Sequence, residues 1–145
     1  MAKNFNQKSD RRQFIKTAAA VSALSNIAIP RVHAQEGEGN EIRVALIGSG
    51  GRGTGATADA LKVESTKLKL VAMADVFEHR ISKSYDILKE HFSATPEKID
   101  VPPDQQFVGF DAYRHAMDVL RPGDIAIFAS PLAFRPLHLE YAIKR

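Results

Sequence analysis

The strongest constraint on this chain is a six-residue stretch, Gly48-Ser49-Gly50-Gly51-Arg52-Gly53, and the residues on either side of it. Before it, residues 42–47 (Ile-Arg-Val-Ala-Leu-Ile) form a short, nearly continuous apolar run. Such a run suits a strand buried on both faces, as in a parallel sheet. After it, residues 54–62 are small and helix-compatible. The pattern is strand, glycine turn, helix. Gly48 permits a tight turn out of the strand, Gly50 lets the backbone approach a ligand with no side chain between them, and Gly53 lets the helix pack close on the strand.

Residues 68–74 form a second apolar run that ends at Asp75, which lies 22 residues after Gly53. A spacing of about 20 is expected for an acid that binds the ribose of a dinucleotide whose diphosphate sits on the glycine turn. The N–H groups and partial positive charge of a helix N-terminus suit those phosphates. The opposing reading is a glycine-rich turn that binds nothing, with Asp75 as a strand-end cap. The joint pattern favours the cofactor. An acid there favours NAD over NADP. A 2′-phosphate about 4 Å from the carboxylate would be repelled by about 4 kcal/mol at an effective dielectric of about 20, up to about a thousandfold in affinity. NADP remains open, with Arg80 as a candidate phosphate partner or else a solvent-facing helix arginine. Arg52 either approaches a phosphate or is simply exposed.

The rest of the chain continues the alternation. Residues 78–91 read as a helix with Ile81, Tyr85, Leu88 and Phe92 on one face. Residues 93–106 hold three prolines and read as a loop. Residues 107–108 make a short strand, Asp111 an N-cap for a helix through Leu120, and Pro122-Gly123 a turn. Residues 125–129 form a fourth strand ending at Ser130-Pro131, and residues 137–145 a further helix. Alternating strands and helices predict an α/β fold with a doubly wound parallel sheet of the Rossmann type. Four strands are expected here, where such a sheet normally has roughly six. The expectation is therefore a fragment or truncated product, whose last strand offers an unpaired apolar edge prone to aggregation.

Charge and composition narrow the function. The 145 residues carry a formal net charge of +3, but the first 34 carry +5 and the remainder −2. The basic character thus belongs to the leader and is no footprint for nucleic acid, which needs basic residues clustered on a folded face. Cysteine is absent, which excludes disulfides, thiolate metal sites and a cysteine nucleophile. A stable membrane anchor is not expected, since no apolar run approaches the roughly 20 residues a spanning helix needs.

The leader itself reads as an address. A polar start is followed by Arg11-Arg12-Gln13-Phe14-Ile15-Lys16, an uncharged Ala-rich run over residues 17–29, Pro30, and Val32-His33-Ala34. This is the order of a secretory signal, and the arginine pair resembles the twin-arginine consensus. Asp10 stands where Ser or Thr is usual. The expected organisation is a signal peptide over residues 1–34 read by the twin-arginine export machinery, cleavage after Ala34, and a flexible linker over residues 35–40. The product would be periplasmic or otherwise exported, and that route could carry a folded protein out with its cofactor bound.

With the Gly48–Gly53 turn, the strand Leu70-Val71-Ala72-Met73-Ala74-Asp75-Val76, the segment Phe110-Asp111-Ala112-Tyr113 and the piece from Ile127 to His138 taken together, residues 41–145 resemble the Gfo/Idh/MocA oxidoreductases. The resemblance implies that Ser130 and Pro131 line the ribose on the nicotinamide side. It leaves His138 either near that region or as an ordinary helix histidine. His79, His91 and His115 show no partner pattern and read as structural or exposed. Ser49 has no His or Asp at nucleophile spacing, so a hydrolase triad is rejected. The family's catalytic lysine lies in a Glu-Lys-Pro motif, and its substrate-binding residues lie in a later domain. Neither is present, so no catalytic residue is assigned.

The resemblance implies the N-terminal part of an exported NAD(P)-dependent oxidoreductase acting on a sugar, polyol or related carbohydrate. Two alternatives stay open: an NAD-dependent glycosidase of the same superfamily, and a non-catalytic nucleotide-binding module. A homo-oligomer also stays open.

Overall fold

A computed structural model describes residues 41–145. The signal peptide, its cleavage point and the linker expected over residues 1–40 lie outside the described residues.

Four strands form one all-parallel sheet: β1 (Glu41–Ile47), β2 (Lys67–Asp75), β3 (Gln106–Val108) and β4 (Ile125–Phe128), in the order β3-β2-β1-β4. The protein is therefore α/β. β1 lies in the interior of the sheet, paired with β2 on one side and β4 on the other, so that Ile47 faces Ala74 and Phe128.

Helices cover both faces: α1 (Gly51–Leu61) and α2 (Glu78–His91) on one, α3 (Ala112–Asp118) and α4 (Arg135–Lys144) on the other. Strand periodicity sorts the core. Val44 and Leu46 of β1 pack with Leu61, Ile81 and Leu88, while Ala45 and Ile47 pack with Ala112, Tyr113, Ala116 and Met117. β2 breaks the alternation once. Val44 pairs Leu70 but Ala45 pairs Ala72, which leaves Val71 as an extra residue. Val71 and Ala72 accordingly both face the second cluster.

Several element boundaries differ from the sequence reading. α1 starts at Gly51 instead of residue 54. Gly50, with its extended backbone, is the N-cap, so the glycine turn runs directly into the helix. Residues 93–106 are not a plain loop. They hold 3-10 turns at Pro96–Lys98 and Pro103–Gln105, and Ile99 and Val101 are buried in the first cluster. Asp111 does not cap α3 with its side chain. Its backbone is in the right-handed helical region (φ −94°, ψ −1°), and its carboxylate lies 3.5 Å from Arg114 Nη1. N-capping by a side chain needs an extended backbone there. α3 ends at Asp118, and Arg43 Nη1 donates to Val119 O at 3.1 Å. α4 starts at Arg135, because Pro136 sits in the first helical turn, where a missing N–H costs nothing.

α2 matches the expected bounds. Ile81, Leu88 and Phe92 are buried and Tyr85 is partly buried, as the spacing predicts. Ser84, on the same face, is buried too and its Oγ lies 2.7 Å from Thr54 Oγ1 of α1.

Candidate functional site

Because all four strands are parallel, their C-terminal ends open on one edge of the sheet, where ligands of open α/β sheets bind. A cleft of about 600 Å³ lies there. It runs from Phe77 and Arg80, beyond β2, past Gly48 and Gly50, to Ser130, Pro131 and His138, beyond β4. Its middle sits where the chain order reverses between β1's two neighbours.

The three motif glycines separate cleanly by environment. Gly48 has φ +100°, and a Cβ there would lie 2.7 Å from Ala129 C and Ser130 N. Gly53 has no room either: its Cβ would meet Gly48 O at 2.0 Å and Leu46 Cδ1 at 3.0 Å. Both glycines are thus explained by the fold. Gly50 is not. It has an ordinary extended backbone (φ −76°, ψ 176°), and a Cβ there would meet nothing within 4 Å. It caps α1 without a side-chain hydrogen bond, on the wall of the cleft, and no acid occupies the first turn of α1. The N–H groups of that turn accordingly offer an anion a bare, partly positive surface.

Asp75 sits at the end of β2 and lines the cleft. Its Oδ2 accepts from Ser49 N–H at 2.8 Å and its Oδ1 from Phe77 N–H at 3.0 Å. A carboxylate has about four lone-pair sites, so capacity remains for ribose hydroxyls. Arg80 also lines the cleft, with its guanidinium 5.0 Å from the centre of the Phe77 ring.

Beyond β4, Ser130 is buried and its carbonyl accepts from Arg135 Nε at 3.0 Å. Ser130 Oγ lies 3.0 Å from His138 Nδ1. His138 is buried, and that burial pushes its pKa below the ordinary 6.5.

The structure brings Gly48, Gly50, Asp75, Arg80, Ser130, Pro131 and His138 together around the cleft. Gly51 and Arg52 are exposed and do not line it, and Gly53 is buried against the turn. Ser49 meets the site through its N–H, while its Oγ is enclosed without a partner among the described residues. His79, His91 and His115 are exposed, each beside an aromatic ring.

Among the lining residues that sequence reasoning did not assign to the site are the aromatic Phe77, Phe110, Tyr113 and Phe134, and Arg135. Each stands within a few residues of a strand's C-terminal end, which is the signal that could have found them.

Among the described residues no group of three or more His, Asp or Glu could hold a metal ion, and no helix is long and apolar enough to cross a membrane. No protein-family model matches the chain, and no curated protein matches it.

Proposed function

We propose that the cleft binds a nicotinamide dinucleotide, NAD in preference to NADP, in the manner of the first half of a Rossmann domain. The observation that carries this reading is Gly50. The fold gives no steric reason for a glycine there, whereas a diphosphate on the first turn of α1 does. Asp75 would then take the adenosine ribose, Phe77 and Arg80 would flank the adenosine end, and the nicotinamide end would lie beside Ser130 and Pro131. The strand order and the position of the cleft at its reversal support the same placement.

The full activity we assign is that of an oxidoreductase acting on a sugar, polyol or related carbohydrate, supported by the motif resemblance alone. The bound nicotinamide would supply hydride transfer, and the chain's own residues would bind and orient it. The leader supports export by the twin-arginine route.

Calorimetric titration of the full chain with NAD and NADP tests the reading. NAD binding that weakens more than NADP binding in Asp75→Ala supports it. Absence of heat from either cofactor at millimolar concentration refutes it.

A further inference from the structure

His138 is 6% exposed and stands in the first turn of α4, on the cleft wall. Aromatic rings fix its plane: Tyr113 at 4.4 Å between centroids, Phe128 at 6.0 Å and Phe134 at 6.4 Å. Its Nδ1 is held by Ser130 Oγ, and Nε2 has no partner among the described residues. His138 lines the cleft, so Nε2 is the ring nitrogen left to meet a ligand there.

The tautomer follows from satisfying buried donors. Ser130 Oγ has His138 as its partner among the described residues. If Nδ1 carried the proton, the buried Ser130 hydroxyl would have no acceptor for its own, and an orphaned buried donor is costly. If the hydroxyl donates to Nδ1 instead, the ring proton sits on Nε2 and the buried hydroxyl keeps its acceptor. Burial keeps the ring neutral, so Nε2–H suits an uncharged oxygen and not a phosphate.

We infer that His138 Nε2–H is the hydrogen-bond donor for the carboxamide oxygen of a nicotinamide ring lying against the aromatic wall beyond β4, with Ser130 fixing its tautomer. The apolar surroundings agree: Phe110 and Phe134, with ring centroids 6.5 Å apart, both line the cleft, and aromatic side chains suit a planar ring. The inference rests on the dinucleotide reading and adds the group that recognises its reactive half.

The test compares NAD with ADP-ribose, which lacks the nicotinamide, on the full chain. His138→Phe keeps a ring in the aromatic stack and deletes the donor, whereas His138→Gln retains a donor. Expected are about a tenfold weaker NAD affinity in His138→Phe, an unchanged ADP-ribose affinity, and most of the NAD affinity kept in His138→Gln. Nitrogen-15 spectra of the ligand-free protein should show the proton on Nε2 of His138. Unchanged NAD binding in His138→Phe, equal losses for NAD and ADP-ribose, or an Nδ1–H tautomer each overturn the assignment while leaving dinucleotide binding intact. A wild-type chain that binds neither ligand overturns the dinucleotide reading and this inference with it.

Discussion

Placing a methyl group at Gly53 and at Gly50 should produce opposite defects, because packing explains the first glycine and the proposed dinucleotide the second. In Gly53→Ala the new carbon would stand 2.0 Å from Gly48 O, well inside the 3.4 Å of ordinary contact. The obstacle is backbone, with Leu46 and Ala129 behind it, so no flexible side chain can yield. Overpacking of this kind costs about 3 kcal/mol or more. At about 4 °C per kcal/mol or more for a domain of this size, the melting temperature should fall by about 12 °C or more.

Gly50→Ala meets open space at a permitted backbone geometry. Losing chain entropy in the unfolded state stabilises by about 0.4–1 kcal/mol. Alanine is a poorer N-cap than glycine by about 0.5–1 kcal/mol. The two offset, so stability should stay within about 0.5 kcal/mol of wild type. Its effect should appear in NAD binding, where the methyl group stands in the path of the diphosphate and weakens affinity about ten- to a hundredfold. Scanning calorimetry and titration calorimetry on both variants read the two quantities separately. A Gly50→Ala chain that binds NAD like wild type refutes the ligand explanation of Gly50, and a Gly53→Ala chain that melts like wild type refutes the packing explanation of Gly53.

Three further outcomes are expected. Thr54→Val should cost about 1–3 kcal/mol, since it orphans the buried Ser84 hydroxyl, whereas Ser84→Ala should cost less because Thr54 Oγ1 still bonds Gly50 O at 3.0 Å; denaturant melts of the two variants check the order. His138 has a lowered folded-state pKa, so the folded state binds fewer protons than the unfolded one below pH 6.5. Its stabilisation is present above pH 6.5 and is lost as pH falls towards the folded pKa. Its titratable and charged neighbours are Tyr113 of α3 and Arg135 beside Ser130, and burial is what lowers its pKa. Unfolding free energies between pH 7 and pH 5 should therefore fall in wild type and flatten in His138→Phe. Arg11→Lys with Arg12→Lys should hold precursor in the cytoplasm, and unchanged export in a fractionation assay would count against the twin-arginine reading.

The sheet was legible because its strands declare themselves by composition. Residues 42–47 and 68–75 are apolar runs bounded by glycine or acid, and burial on both faces produces such runs. Less was legible where local chemistry and tertiary contact disagree. The last helix was expected from residue 137 but begins at Arg135, because Pro136 fits its first turn and proline is harmful only after that turn. Asp111 has the right residue type for a cap and the wrong backbone angles, which no single residue announces. The bulge at Val71 leaves no mark in a run of apolar residues, since either face accepts them. At the site, the glycines and Asp75 carry a spacing pattern. Phe77, Tyr113 and Phe134 carry none, because aromatic residues that line a cleft look in sequence like aromatic residues that fill a core.

The two N–H bonds to Asp75 bear on the cost of binding as well as on its geometry. They tie the first loop to the chain beyond β2 before any ligand arrives. A loop already clamped in this way loses little freedom on complex formation, so more of the contact energy survives as affinity. The amide of Ser49 should then exchange slowly with solvent in the ligand-free chain, and adding a cofactor should slow it little further.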